Sequence, residues 1–210
     1  MARPANPELR DKILKAAAEI IEGCGPDCVT MREVAEKVGY SSTTLYLYFK
    51  DKKAILKEAV LASFDELNES CRMATVGPTA LDKYRQRARA YVVWALMHPG
   101  HYSLMFQLPW ETEWSITFAE ESFDRLTQGR ADDMLVLAEA VKAGELPKKT
   151  DLDALENSVW AALHGSVSLS IAGRLTAAIP DATLEQRFNA TTAVSDDLVN
   201  ALITSRKGAK

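Results

Sequence analysis

The chain has 210 residues, 47% hydrophobic and 26% charged, with a net charge of −4. That is an ordinary soluble globular composition, long enough for one large domain or two small ones. No apolar run approaches the ~20 residues that span a bilayer, and MARPANPELRDK lacks the apolar core of a signal peptide, so a cytoplasmic protein without membrane contact is expected.

The charge is spread unevenly. Residues 1–53 carry nine Lys/Arg and eight Asp/Glu, and the remainder carries sixteen and twenty-one. Any nucleic acid would therefore meet a few placed cations rather than a broad basic surface. An odd number of cysteines, three, suits a reducing compartment. Cys24 and Cys28 form a CxxxC, but no histidine lies near them in sequence to complete a zinc site. No metal or other cofactor is expected.

The chain lacks hairpin signals and sustained period-two alternation. An all-α protein of about nine helices is expected. The first covers about 7–22, with Leu9, Ile13, Ala16, Ala17 and Ile20 as its apolar stripe and Gly23 and Gly25 as its stop. Thr30 and Glu33 form a capping box for the second helix, which Gly39 ends two turns later. Ser41 caps the third and Asp51 the fourth. The fourth runs from about 52 to 74, with Leu56, Val60, Phe64, Leu67 and Cys71 on its buried side, and spans roughly 35 Å.

Gly77-Pro78 breaks the chain, and Thr79 and Asp82 open a fifth helix that closes at His98-Pro99-Gly100. A short helix follows at about 102–106, then a loop over 107–113 centred on Pro109. A long helix covers about 115–143, with Gly129 as a candidate bend and Gly144 as its stop. The last two helices cover about 152–173 and 183–205.

The stretch TMREVAEKVGYSSTTLYLYF, residues 30–49, has the spacing of a helix-turn-helix. Ala35 is small where two helices must touch. Gly39 allows a left-handed turn. Leu45 packs back from the second helix, against Met31, Val34 and Val38 of the first. The outer face of the third helix then carries Tyr40, Ser42, Thr43, Thr44 and Tyr48. Hydroxyls pair with any base edge and threonine methyls suit thymine, but no Arg, Asn or Gln is present for bidentate readout. Modest direct readout, helped by DNA shape, is the expectation. Lys50, Lys52 and Lys53 sit at the start of the fourth helix, where a cation is disfavoured by roughly 0.3–1 kcal/mol unless a phosphate binds there. A solvated polar turn and ordinary surface lysines are the bland alternative.

These residues, with Arg10, Ile13-Leu14, Ala16-Ala17, Gly25, Val29-Thr30-Met31, Val34-Ala35, Val38-Gly39, Ser41, Thr44-Leu45-Tyr46, Tyr48-Phe49, Lys52 and Leu56, resemble the N-terminal domain of the tetracycline-repressor (TetR) family of bacterial regulators. The resemblance covers about residues 9–60. Ser42 departs from it where lysine is frequent, and Thr43 where glycine is frequent. It implies that Tyr46 is partly structural and that Tyr48 and Lys52 reach the DNA backbone. It also implies that Thr30 and Met31 contact phosphate and that Thr44 lies near bases or phosphates. The expected DNA-contacting set is Arg10, Thr30, Met31, Tyr40, Ser41, Ser42, Thr43, Thr44, Tyr46, Tyr48, Lys50 and Lys52. The resemblance further implies a homodimer on a double-stranded operator. Its two reading units would lie roughly 34–36 Å or a multiple apart.

The remainder holds every tryptophan and histidine of the chain. Trp94 to Phe106 and Trp160 to Gly165 resemble a TetR-family C-terminal domain type named for its Trp-His-Gly signature. Such a regulator needs a largely apolar cavity for a small-molecule effector, itself expected to be apolar or aromatic. The candidate lining is Trp94, Met97, His98, Tyr102, Phe106, Trp114, Trp160 and His164. Aromatics and methionines at helical spacing serve an ordinary core equally well, and His98 would suit a helix C-terminus. His98 and His101 have no carboxylate or cysteine close by to complete a metal site.

The small residues of the eighth helix and Leu184, Phe188, Leu198 and Leu202 of the ninth are the expected pairing surface. The expected domains are 7–53 for DNA binding and 54–205 for effector binding and dimerisation, linked by the fourth helix. The function expected is a sequence-specific transcriptional regulator, a repressor that effector releases from its operator. An effector-independent DNA binder is the alternative. No catalytic motif supports an enzyme.

Overall fold

The computed structural model describes residues 6–106, 113–175 and 183–207; at 113–123, 126 and 207 it describes the backbone alone. The described residues form nine α-helices and no strand: α1 Pro7–Cys24, α2 Met31–Val38, α3 Ser42–Leu45, α4 Lys52–Met73, α5 Ala80–Met97, α6 Pro99–Phe106, α7 Glu113–Lys142, α8 Leu152–Ile171 and α9 Leu184–Lys207. The all-α expectation holds. A 3-10 turn at Pro26–Cys28, absent from the sequence reading, joins α1 to α2.

The chain divides into two compact units. One comprises 1–65 and 98–125, the other 66–97 and 126–210. Each of α4 and α7 therefore contributes residues to both.

In the first unit, α1 packs against α2 and α6, and α2 against α3. Leu9, Ile13, Ala16, Ala17 and Ile21 form the buried stripe of α1. Ile21, rather than Ile20, closes it, because the step from Ala17 is one full turn. The start of α6 also differs from expectation. Pro99 and Gly100 belong to the helix, and the His98 carbonyl accepts from Tyr102 N at 2.9 Å. Proline is well suited to a first helical position, where its missing N–H is not needed. His98 therefore follows the last residue of α5, as expected, and also opens α6. Gly100 is required by proximity: a Cβ there would stand 2.2 Å from the Ile21 carbonyl oxygen.

In the second unit, α8 packs along α9 and α5 packs against both. Gly129, the candidate bend, lies within the continuous helix α7. That glycine admits Asn68, whose Oδ1 would lie 2.5 Å from an added Cβ. All five residues assigned to the buried side of α4, from Leu56 to Cys71, are buried. Each such aliphatic or aromatic side chain contributes roughly 1.5–3 kcal/mol. The loop expected over 107–113 lies outside the described residues, except that Glu113 begins α7.

Candidate nucleic-acid interface

The reading motif is held by two caps and one turn. Thr30 Oγ1 accepts from Glu33 N at 3.1 Å and donates to the Glu33 carboxylate at 2.9 Å. The hydroxyl–carboxylate bond replaces the reciprocal bond to the Thr30 backbone that a full capping box makes. At the far end of α2, Gly39 is left-handed, with φ 77° and ψ 29°. Its N–H donates to the Glu36 carbonyl at 3.2 Å, and Tyr40 N donates to the Ala35 carbonyl at 2.9 Å. This paired arrangement satisfies the orphan carbonyls and reverses the chain in one residue. Ser41 Oγ then accepts from Thr44 N at 3.2 Å and starts α3.

Leu45 and Phe49 are buried, four residues apart, so the residues between them turn away from the core. Val34 and Ala35 are buried beneath them and Val38 is half-buried. Tyr40, Ser41, Thr43, Tyr46 and Lys50 are exposed, and Ser42, Thr44, Tyr48 and Lys52 are partly so. The structure therefore gathers most of the expected contact set on one exposed tip. Leu47, which the sequence reading passed over, is 77% exposed among them. Its position between Leu45 and Phe49 was the available signal. A leucine there offers apolar contact to a thymine methyl or a sugar.

Besides the capping Thr30 and Ser41, four more expected contacts have intramolecular roles. Met31 is buried and belongs to the core. Arg10 pairs with Glu58 of α4, and its guanidinium carbon lies 5.2 Å from the centre of the Phe49 ring. The Tyr48 hydroxyl accepts from Asn6 N at 3.0 Å, which leaves its own proton available to donate. Lys52 Nζ donates to the Asp27 carbonyl at 3.3 Å.

The eight residues expected to line an effector cavity divide between the units. In the first, Tyr102 is fully buried, and its ring lies 4.9 Å from that of Phe106, which meets Phe64 edge-on at 5.6 Å. His98 faces His101 edge-on at 6.3 Å between ring centres. His101 Nε2 lies 3.2 Å from the Ala18 carbonyl and Nδ1 2.7 Å from Ser63 Oγ, so it ties α6 to α1 and α4. The Trp114 side chain lies outside the described residues.

In the second unit Trp94 is buried, while Met97 is 61% and Trp160 39% exposed. Trp160 stacks on His164 at 5.2 Å, and the Tyr91 hydroxyl lies 3.5 Å from His164 Nδ1. Burial lowers the His164 pKa below its ordinary value and favours the neutral ring. A buried polar group was missed altogether. The Tyr84 hydroxyl donates to the Glu156 carboxylate, and Arg87 pairs with Asp133 and donates to Thr75 Oγ1 at 2.9 Å. Burial, reinforced by the negative charge of Asp133, pushes Glu156 up to about 7. In the sequence these residues look like the polar faces of ordinary amphipathic helices.

Residues 13–59 match the family described as bacterial regulatory proteins, tetR family, and residues 84–194 match the tetracyclin repressor-like, C-terminal domain. The chain belongs to the TetR family. It is a DNA-binding transcriptional regulator, and its reading motif is the one built above. The C-terminal match carries the general tetracyclin repressor-like description.

Curated relatives and a solved structure are similar over differing shares of the chain. An uncharacterised HTH-type transcriptional regulator of Mycobacterium tuberculosis is 26% identical over 82% of this chain and 74% of its own length. The class A tetracycline repressor from transposon 1721, in Escherichia coli, is 30% identical over 42% of this chain and 44% of its own. The regulator FadR of Bacillus subtilis, solved with stearoyl-CoA, shares the fold with a TM-score of 0.70 at 18% identity, covering 92% of this chain and 97% of its own. No helix among the described residues is long and apolar enough to cross a membrane.

Proposed function

We propose that this regulator is a repressor that occupies operator DNA as a homodimer and leaves it when a small, largely apolar or aromatic effector binds. The observation that carries the DNA-binding half is the left-handed turn at Gly39, which sets an exposed hydroxyl tip on a buried Leu45–Phe49 base. Tyr40, Thr43 and Thr44 face base edges, and Lys50 and Lys52 face phosphates. The domain division is 7–53 for DNA and 54–205 for effector and pairing, with α4 as the connecting element.

Homodimerisation through α8 and α9 is supported by apolar side chains that α9 leaves at the surface. Val194 and Leu198, one turn apart, are 38% and 37% exposed. The effector half is supported by aromatic clusters with few polar groups, Tyr102 with Phe106 in one unit and Trp160 with His164 in the other. Long-chain acyl-CoA is a natural first probe, because a protein of the same fold was solved with stearoyl-CoA.

Selection of bound duplexes from a random pool identifies the operator. Titrations of effector with and without that operator then test the mechanism, since each ligand must weaken the other by the same factor. A coupling of about 3 kcal/mol gives ~150-fold. Operator affinity that no effector alters, with tight and selective DNA binding retained, would establish the effector-independent alternative.

A further inference from the structure

The turn between α1 and α2 holds two thiols that the reading tip does not use. Cys24 is the last residue of α1 and is exposed, and Cys28 ends the 3-10 turn and is half-buried. The Cys28 thiol donates to the Cys24 carbonyl at 3.2 Å, and the Cys24 thiol to the Ile20 carbonyl at 3.5 Å. A carbonyl oxygen lies about 2.4 Å from its own Cα, so Cys28 Sγ is within roughly 6 Å of Cys24 Cα. A bridge requires Cys24 Sγ to leave the Ile20 carbonyl and Cys28 Sγ to leave the Cys24 carbonyl. The neighbouring Cys28 thiol and, more weakly, the charge of Glu33 in the first turn of α2 raise the Cys24 pKa above its ordinary value, which disfavours its thiolate and leaves Cys28 as the thiol that attacks first.

We propose that Cys24 and Cys28 are a reversible oxidation site, closing to an intramolecular disulfide under a peroxide-class oxidant and weakening DNA binding through the turn they span. One thiol, as thiolate, attacks a peroxide oxygen. The O–O bond breaks, water leaves once the second oxygen is protonated, and the sulfur becomes a sulfenic acid. The second thiolate attacks that sulfur, and its hydroxyl leaves as water with the remaining proton. Two thiols and one hydrogen peroxide give one disulfide and two waters. The sulfurs lose two electrons and the peroxide gains them. A small thiol returns both sulfurs to the reduced state by exchange.

The turn has a direct line to the DNA surface. Asp27, between the two cysteines, offers the carbonyl that holds Lys52 at 3.3 Å. Val29 and Thr30 follow at once, the first fully buried and the second the cap of α2. Forming the bridge pulls Cys28 Sγ from the Cys24 carbonyl and tightens the segment that carries the Asp27 carbonyl. Cys71 is an internal control, because burial pushes its thiol up to about 12.

The test uses the full chain treated with hydrogen peroxide, alkylated, and mapped by mass spectrometry. The expected product has Cys24 and Cys28 joined within one chain, Cys71 still a thiol, and full reversal by dithiothreitol. Cys24→Ser and Cys28→Ser each abolish the bridge. Three surviving thiols, oxygen gained on separate cysteines, or a link between chains overturns the site. The second readout is affinity for random-sequence duplex at low salt. The bridged protein should bind severalfold more weakly, with a salt slope smaller by about one phosphate contact, and the double serine variant should be indifferent to peroxide. Equal affinity of the bridged and reduced forms overturns the coupling to DNA. Failure of the reduced protein to bind any duplex overturns both that coupling and the DNA-contact assignment, while the thiol map is read independently.

Discussion

The Tyr84 hydroxyl, on α5, donates to the carboxylate of Glu156, on α8, and both side chains are buried. Burial raises Glu156 from an ordinary 4.5 to about 7, so folding prefers its protonated form. The resulting stability is fully present below about pH 4.5 and is lost as pH rises through about 7. The shift corresponds to a penalty on the order of 3 kcal/mol at pH 8. Glu156→Gln keeps an acceptor for Tyr84 and removes the charge. Its urea midpoint should exceed the parent's at pH 8, with the advantage shrinking toward pH 5. His164 runs the other way, since its lowered pKa makes the fold lose stability as pH falls below about 6.5. His164 is present in both proteins, so taking their difference cancels its contribution to first order. An advantage that does not change with pH would show that Glu156 is ionised in the fold throughout.

Gly100 should tolerate no side chain. In Gly100→Ala the new methyl would meet the Ile21 carbonyl at 2.2 Å, and backbone rather than a flexible side chain would have to yield. Overpacking of this kind costs about 1–3 kcal/mol. Thermal unfolding should show the loss. Gly23→Ala, where nothing lies within 4 Å of the added carbon, should show no such steric cost. Equal behaviour of the two variants would mean that α6 can slide off α1 freely.

Lys52 and Thr43 should separate positioning from reading. Lys52→Ala should weaken operator and random DNA almost equally and reduce the salt slope by about one contact. Thr43→Ala should instead narrow the gap between operator and random DNA. Binding measured over a salt series on both duplexes distinguishes them, and the reverse pattern would exchange their roles.

Arg10 should act within the protein more than on DNA. Its pair with Glu58 is partly exposed, so that contact and the stack on Phe49 together contribute about 1 kcal/mol. Arg10→Ala should lower the urea midpoint accordingly and leave the salt slope of DNA binding unchanged. A slope that falls by one would restore Arg10 as a phosphate ligand.

Legibility in the sequence followed the range of the interaction. The Thr30, Ser41 and Asp51 caps and the Gly39 turn were readable because they are local: the partner atoms lie within five residues. The buried side of α4 was readable because its spacing repeats. The beginning of α6 was not, since Pro99-Gly100 has the same local signature whether it ends one helix or begins another. What distinguishes the two is the Ile21 backbone, nearly eighty residues earlier. Leu47 drew no reading, and only its phase between buried Leu45 and Phe49 places it outside. Arg10 and Glu58, or Tyr84 and Glu156, carry no mark in the sequence that they will meet.

The bond from Lys52 to the Asp27 carbonyl also bears on how such a protein finds its target. The ammonium has three donors and spends one on that carbonyl, so the bond fixes where the cation stands without using up its charge. A phosphate of any duplex would meet a cation already in place, at little further cost in side-chain freedom. Capture is then indifferent to sequence, and the sorting of right sites from wrong falls to the hydroxyl tip.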